Sequence, residues 1–355
     1  MDTAERARHL AGAAERFAFL GRTTVDDLLE LVRLELGHEA ALDDFVLRGE
    51  HLARAIAPRS ILHIISSNTP AAGLQSLIRG LLLGSHNFAK LPAAGLPELA
   101  QFRAALPHEL AERVELSSDL PEEWLARAEA VIVFGSDETI AHFRGRIRAE
   151  QTFIAHGHRL SFGVIFDDPT FASVPDAARD ASLFDQQGCL SPQLFYVRGE
   201  ARLYAGRLAA EMARREALEP RAAISLSETL AIRAAREEFA FRAANGESVQ
   251  VWQSSNSTAW TVVFDSTRGF PRSPLNRFLF VKPLPDDLAA DLQGVRMHLS
   301  CAGVFPAAIE HARLLTPFGV SRVCPIGRMQ IPPWTWHQDG QPSLGALVRW
   351  VDFEQ

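Results

Sequence analysis

Several features that mark particular classes of protein are scarce in this 355-residue sequence. The three cysteines, Cys189, Cys301 and Cys324, include no close pair, which disfavours a disulfide framework or a structural zinc site and favours a reducing compartment. The net charge of −7 disfavours binding to nucleic acid or to an anionic membrane surface, since both need a basic face. The longest apolar runs, residues 61–65 and 81–83, are far shorter than the roughly 20 residues that span a bilayer.

The beginning of the chain also lacks a targeting signal. Its first six residues, MDTAER, contain no apolar core followed by a small-residue cleavage site. We therefore expect no signal peptide, no membrane span and a cytoplasmic location. The hydrophobic content of 47% and the charged content of 22% are ordinary for a globular protein, and the length predicts roughly two domains.

The pattern of apolar residues predicts an α/β fold. Residues 1–57 are rich in Ala, Leu, Glu and Arg and predict a helical N-terminal segment. From residue 58 onwards, short apolar strands alternate with amphipathic helices, which is typical of parallel sheets with right-handed crossovers. We predict a cofactor-binding α/β domain at residues 58–157, a second α/β domain at 158–330, and a C-terminal loop with a closing strand at 331–355.

Polar residues follow three predicted strands of the first α/β domain. Asn68 comes after the strand at 59–65, Lys90 ends the next strand, and Gly135 and Ser136 follow the strand at 130–134. Ligands of parallel sheets bind beyond the carboxyl ends of the strands, so these loops form a candidate cofactor site. The sequence has no G-x-G-x-x-G motif, and the usual dinucleotide fingerprint is therefore absent.

The stretch FDQQGCLSPQ, residues 184–193, presents a cysteine between a glycine and a strand-like run. As a thiolate, Cys189 could attack the carbonyl carbon of a thioester or an aldehyde and hold the acyl group covalently. The alternative is that Cys189 is a small buried residue of the core, which is common for cysteine. The local sequence leaves both interpretations open.

Two histidines flank a glycine at residues 156–158. A metal site is disfavoured because the sequence implies no third ligand, and a histidine pair of this kind is more often part of a turn. His156 and His158 are candidates for a general acid or base.

Taken in order, the motifs of the chain resemble those of the aldehyde dehydrogenase superfamily, and more narrowly those of the fatty acyl-CoA reductases of bacterial bioluminescence (Lux). The resemblance covers about residues 61–353. It is carried by ISSNTP (65–70), residues 84–92, FGSDET (134–139), GHRLSFG (157–163), residues 185–193, and a tail that includes Trp336, His337, Asp339 and residues 350–352. It implies a fold of two Rossmann-like α/β domains.

The resemblance also implies roles for particular residues. Cys189 would be the nucleophile that accepts the acyl group. Asn68 would form the oxyanion hole together with the backbone N–H of Cys189. The implied cofactor-binding residues are Lys90, at the adenosine ribose or its phosphate, and Gly135 and Ser136, beside the pyrophosphate, with Ser66 and Pro92 in the same set.

Two departures from the superfamily pattern bear on the reaction. Hydrolytic aldehyde dehydrogenases have a water-activating glutamate upstream of the cysteine. The matching place here is at or near Ala155, and residues 155–158 contain no acid. In addition, Pro92 and two alanines follow Lys90, where NAD-preferring relatives often have a glutamate. The first departure favours transfer of acyl groups to or from thiols, and the second favours NADPH, with NADH as the alternative.

The sequence therefore predicts an NADPH-dependent reductase that converts an acyl-CoA, or an acyl thioester delivered by a partner, to the aldehyde. The expected partners are the acyl-CoA substrate, an acyl-protein synthetase or acyl-transferase, and further copies of the chain in a homo-oligomer. Two alternatives stay open. One is an NAD(P)-dependent aldehyde dehydrogenase that forms the acid, and the other is a non-catalytic subunit of an acyl-transfer assembly.

Overall fold

The computed structural model describes residues 1–66 and 70–354. Helices and strands are numbered here in chain order. The α-helices are α1 Thr3–Ala14, α2 Val25–Leu36, α3 Pro70–Leu82, α4 Pro97–Ala105, α5 His108–Ala111, α6 Glu122–Arg127, α7 Asp137–Arg144, α8 Val174–Ser182, α9 Ala201–Leu218, α10 Leu226–Ala244, α11 Leu288–Leu292 and α12 Ile309–Leu315. The strands are β1 Val46–Arg48, β2 His51–Ile56, β3 Ser60–Ile64, β4 His86–Lys90, β5 Val114–Ser117, β6 Ala130–Phe134, β7 Thr152–His156, β8 Leu160–Ile165, β9 Pro192–Val197, β10 Val249–Gln253, β11 Thr261–Asp265, β12 Phe278–Pro283, β13 Leu299–Phe305, β14 Arg322–Pro325 and β15 Arg349–Phe353.

The chain forms two compact units, residues 1–158 together with 331–355, and residues 159–330. The first unit contains a five-stranded parallel sheet with the strand order β5-β4-β3-β6-β7. Strand β6 is buried along its whole length, as a strand covered by helices on both faces must be. One apolar core includes residues of α1, α2, α3 and α4, and a second includes residues of α6.

The first unit also contains a three-stranded antiparallel sheet with the order β1-β2-β15. Strands β1 and β2 lie within the segment predicted to be helical, so the prediction of helix for residues 1–57 is wrong at residues 46–56. The physical reason is that β2 pairs with β15, almost 300 residues later, and local helix propensity cannot report such a pairing. Helices α1 and α2 do form, and capping boxes at Asp2 and Thr24 fix where each begins.

The second unit is built on a seven-stranded sheet with the order β10-β11-β12-β9-β8-β13-β14. Its strands are parallel except for β10, which pairs antiparallel with β11. Strands β9, β11 and β12 are buried almost throughout, and they pack with helices such as α10 in an apolar core. Within the described residues, no helix has both the length and the apolar character to cross a membrane.

Candidate active site

In the second unit, Cys189 lies on the turn that leads into β9. Its side chain is exposed, whereas the neighbouring Leu190 is buried. The hydroxyl of Ser161 on β8 donates a hydrogen bond of 2.7 Å to the carbonyl oxygen of Cys189, and it accepts one of 3.2 Å from the N–H of Cys301. The backbone of Cys189 is thus fixed to two strands of the sheet while its thiol faces the surface of the unit.

The residues just before this turn have an unusual backbone. Phe184, Asp185 and Gln186 have φ values of 53°, 51° and 65°, in the left-handed region that residues other than glycine rarely adopt. The fully buried amide of Gln186 compensates by donating to the carbonyl oxygens of Pro192 (2.9 Å) and Phe278 (3.0 Å) and accepting from the N–H of Phe278 (2.8 Å). Gln186 therefore closes the cysteine loop across its base.

The other two cysteines are buried. The Sγ atoms of Cys301 and Cys324 are 3.7 Å apart on the neighbouring strands β13 and β14. The hydrogen bond to Cys324 and burial raise the pKa of the Cys301 thiol well above its ordinary value. Among the three cysteines of the chain, only Cys189 has the exposure that a nucleophile toward a large acyl substrate needs.

A buried carboxylate supports the chain segment behind the cysteine turn. Asp180 on α8 is 2% exposed and accepts hydrogen bonds from the N–H groups of Gly327 and Met329. The side-chain amide of Gln330 then joins the carbonyl oxygen of Asp180 (3.0 Å) to the hydroxyl of Ser191 (2.6 Å), two residues after Cys189. Burial raises the pKa of Asp180 to about 7.

This raised pKa predicts a pH dependence of stability. Because the pKa of Asp180 is higher in the folded chain than in the unfolded chain, its protonated form stabilises the fold, fully below about pH 4, and this stabilisation is lost as the pH rises through about 7. We expect the Asp180→Asn variant to gain roughly 2 kcal/mol of unfolding free energy relative to the wild type between pH 5 and pH 8. Urea unfolding at both values measures this, with the half-exposed Asp176→Asn as the matched control on the same helix. Equal pH dependence of the wild type and Asp180→Asn would contradict the prediction.

In the first unit, the predicted cofactor residues lie at the carboxyl ends of adjacent strands. Lys90 ends β4 in register with Ile64 of β3, and Ser66 follows β3. Gly135 and Ser136 follow β6, which is the other neighbour of β3. Side chains at these positions are partly or fully exposed. The structure therefore brings Ser66, Lys90, Gly135 and Ser136 to one edge of a parallel sheet, whereas Asn68 lies outside the described residues.

Helix α7 begins beside this edge. Its cap is Ser136, whose hydroxyl accepts a hydrogen bond of 3.2 Å from the N–H of Thr139. The exposed Asp137 and Glu138 occupy the first turn of the helix, and their negative charges oppose an anion there. Lys90 is therefore the cationic group that this edge offers to a phosphate.

His156, a candidate acid or base, is the last residue of β7. Its Nδ1 is 2.7 Å from an Oδ of Asp339, and both side chains are largely buried, with exposed fractions of 13% and 8%. The imidazole also stacks on the ring of Phe134, at 4.7 Å between ring centroids. His158, the other candidate, is exposed. The sequence does not predict this partner of His156, because 183 residues separate it from Asp339.

A buried arginine that the sequence does not predict as a site residue lies beside this histidine. Arg79 of α3 is 6% exposed, and burial lowers its pKa to about 10. It lines a cavity of about 30 Å³ together with His156, Gln338 and Ser343. Its guanidinium donates to Gln338 at 3.5 Å, and its Nε has no hydrogen-bond partner among the described residues. A cavity of this size has room for one or two water molecules but not for a substrate.

The arrangement of the strands and of the cysteine turn can now be compared with known proteins. Residues 13–350 match the family model described as acyl-CoA reductase (LuxC). The chain belongs to the LuxC family of acyl-CoA reductases. The predicted resemblance to Lux-type reductases is thereby confirmed.

Individual LuxC relatives are distant in sequence. The chain is 20% identical over 346 residues to the long-chain acyl-protein thioester reductase 2 of Photobacterium leiognathi, and 22% identical over 345 residues to the long-chain acyl-protein thioester reductase of Aliivibrio fischeri. Each alignment covers 92% of this chain and 71% of the relative. This LuxC-family chain is thus an acyl reductase by family.

Solved structures confirm the predicted aldehyde-dehydrogenase-like fold. An NAD-dependent benzaldehyde dehydrogenase from Corynebacterium glutamicum is similar with a TM-score of 0.66 at 13% identity, over 100% of this chain and 86% of that chain. An aldehyde dehydrogenase from Brucella melitensis biovar abortus 2308 gives a TM-score of 0.68 at 11% identity, over 99% and 85% of the two chains. At such identities the likeness establishes the fold of this LuxC-family chain, and a nicotinamide cofactor follows from fold and family together.

Proposed function

We propose that this LuxC-family chain reduces an acyl thioester to the aldehyde through an acyl group held on Cys189. The observation that carries the proposal is the exposed thiol of Cys189 on a turn whose backbone is hydrogen-bonded to β8 and leads directly into β9. A nucleophile that must meet an acyl carbon repeatedly needs this combination of access and rigidity.

The chemistry assigned to the chain begins with attack of the Cys189 thiolate on the thioester carbonyl. A carbon–sulfur bond forms, and the carbonyl electron pair moves to oxygen, where the backbone N–H of Cys189 and the amide of Asn68 would stabilise it. The electron pair then returns, the thiol of the donor leaves, and the acyl group stays on Cys189. Ser66, Lys90, Gly135 and Ser136 would hold a reduced nicotinamide, whose chemistry is hydride donation, and Cys189 would keep the acyl carbon bound as it becomes a thiohemiacetal. Cys189 is released as a thiolate when the thiohemiacetal loses the aldehyde.

The end of β7 supports reduction over hydrolysis. Residues 155–158 contain no acid, and the carboxylate that contacts His156, that of Asp339, is 8% exposed and hydrogen-bonded to the imidazole. A carboxylate engaged in this way is poorly placed to activate water. We propose that the imidazole of His156, oriented by Asp339 and by Phe134, serves as a proton donor or acceptor.

The donor set at the sheet edge fits a phosphorylated nicotinamide cofactor. Lys90 supplies a positive charge, Ser66 and Ser136 supply hydroxyls, and Gly135 removes side-chain bulk. After Lys90 the chain makes a turn, with the N–H of Gly95 donating to the carbonyl oxygen of Pro92 at 2.8 Å, and residues 91–97 contain no carboxylate. Because residues 91–97 place no carboxylate next to Lys90 to repel a 2′-phosphate, we propose a preference for NADPH over NADH.

Intact-protein mass spectrometry tests the proposal. The protein is incubated with acyl-CoAs of several chain lengths, and separately with an acyl group held as a thioester on a protein. We expect one acyl group per chain on Cys189, and its loss with release of aldehyde when NADPH is added. NADH at the same concentration should release it more slowly, because it lacks the phosphate that Lys90 binds. Release of free acid instead of aldehyde would favour an aldehyde dehydrogenase, and absence of any adduct would contradict the proposed acyl-enzyme.

A further inference from the structure

A second left-handed segment lies against the one that precedes Cys189. Leu275, Asn276 and Arg277 have φ values of 61°, 58° and 66°. Three consecutive non-glycine residues in this region are costly, because the left-handed conformation brings Cβ too close to the backbone carbonyl. The second unit contains two such segments, 184–186 and 275–277, and a fold keeps strain of this kind only where surrounding contacts compensate for it.

Hydrogen bonds and an ion pair join the residues in and directly after the two segments, and these contacts offset the cost of the left-handed conformation. Asp185 forms an ion pair of 2.7 Å with the guanidinium of Arg277. The amide of Gln187 donates to the side-chain oxygen of Asn276 at 2.7 Å. Gln186 binds both the N–H and the carbonyl oxygen of Phe278. Residues 185–187, just before Cys189, are thus bonded to residues 276–278, the last of which begins β12.

Arg277 is the centre of this contact. It is 4% exposed, and its other nitrogen donates to Glu216 (2.8 Å) and to the carbonyl oxygen of Glu219 (3.0 Å). Glu216 lies on α9, an 18-residue helix of the same unit, and Glu219 directly follows that helix. A planar guanidinium can bind two acceptors at fixed angles. Arg277 therefore holds the carboxylate of Asp185 at a fixed place relative to α9.

We propose that Arg277 is a positioning residue that holds the left-handed turn at residues 184–186 and thereby orients the thiol and backbone N–H of Cys189. The inference rests on the proposed role of Cys189 as the acyl acceptor. Arg277 acts through Asp185 and does not itself touch the reacting atoms. Displacement of a reacting group by about 1 Å can reduce a rate by about 10²-fold, so a loosened turn should slow acyl transfer.

The first test compares Arg277→Met and Arg277→Lys with the wild type. We expect Arg277→Met to lower the rate of acylation of Cys189 by about 10- to 100-fold with little change in KM, and Arg277→Lys to recover part of the loss through its remaining charge. Alkylation of Cys189 by iodoacetamide should change by less than about threefold, because a small reagent needs no oriented N–H. Arg242→Met is the matched control. It removes an ion pair with Asp265 in the same unit and should acylate at close to the wild-type rate.

The second test separates strain from charge. Asp185→Ala and Asp185→Gly both remove the carboxylate that binds Arg277, but only glycine adopts the left-handed conformation without cost. If the ion pair serves to hold this conformation, Asp185→Gly should acylate about fivefold or more faster than Asp185→Ala. If Arg277→Met does not fold, the comparison of Asp185→Gly with Asp185→Ala still tests the positioning role of Arg277.

The outcomes are distinguishable from failure of the proposed function. Absence of an acyl adduct on the wild type would overturn the proposed function itself. A wild-type adduct together with an unchanged rate in Arg277→Met, or with equal rates in Asp185→Ala and Asp185→Gly, would overturn only the role of Arg277. Equal losses of acylation and iodoacetamide alkylation would show that the variant changes the reactivity of the thiol itself and would likewise contradict a positioning role.

Discussion

Replacing Cys189 by alanine is expected to abolish formation of the acyl adduct and to lower the rate of aldehyde formation by at least about 10³-fold. The effect is large because no second thiol can take over. Cys301 and Cys324 are 0% and 8% exposed and lie in the sheet of the second unit. The measurement is single-turnover formation of aldehyde from acyl-CoA and NADPH, with mass spectrometry of the protein before and after the reaction.

Cys324→Ala provides the matched control for this experiment. It also removes one thiol, and although loss of a buried sulfur atom lowers stability, the exposed thiol of Cys189 stays in place. We expect the acyl adduct of this variant to form at close to the wild-type rate. An adduct that persists on the Cys189→Ala protein, at whatever residue, would refute the mechanism proposed here.

Replacing Asn68 by alanine should have the second-largest effect. The amide of Asn68 is proposed to donate to the oxyanion, and loss of one such donor typically lowers kcat by about 10²- to 10³-fold. KM should change little, because the interaction is made chiefly in the transition state. Rates of acylation by a panel of acyl-CoAs measure both quantities.

The isosteric Asn68→Asp variant sharpens this prediction. A carboxylate in the same place would repel the developing oxyanion, so we expect a loss at least as large as that of Asn68→Ala, and a larger loss at high pH, where the carboxylate is ionised. If Asn68→Asp retained most of the wild-type activity, the amide of Asn68 would have no part in the oxyanion hole.

The α/β architecture could be predicted because its signals are local. The run at residues 130–134 is continuously apolar, and the structure places β6 at these same residues. Helix α10, Leu226–Ala244, likewise begins at a local signal, the capping box at Ser225. Strands β1 and β2 escaped prediction because they are short and only partly buried, and their stability comes from pairing with distant residues.

For the candidate site too, features encoded by neighbouring residues could be predicted and contacts between distant residues could not. Cys189 and Lys90 could be proposed from their flanking residues, because Cys189 precedes and Lys90 ends a predicted strand. The partners that orient the chemistry could not be foreseen. Asp339 reaches His156 from 183 residues away, and Arg277 reaches Asp185 across 92 residues. Nor does the sequence reveal the left-handed backbone at Phe184, since this conformation is usually signalled by glycine.

The first unit is formed by two separate stretches of the chain, residues 1–158 and 331–355, and this affects how the protein folds during its synthesis. Strand β2 pairs with β15, so the three-stranded sheet cannot be completed until residue 353 has left the ribosome. Residues 159–330, by contrast, form a continuous segment that contains every strand of its own sheet. Because domains generally fold as units while the chain emerges, the unit that carries Cys189 can complete its sheet before the unit that begins at the N-terminus. Until then, the outer edge of β2 in the β1–β2 hairpin lacks its partner strand β15 and can pair with a strand of another chain.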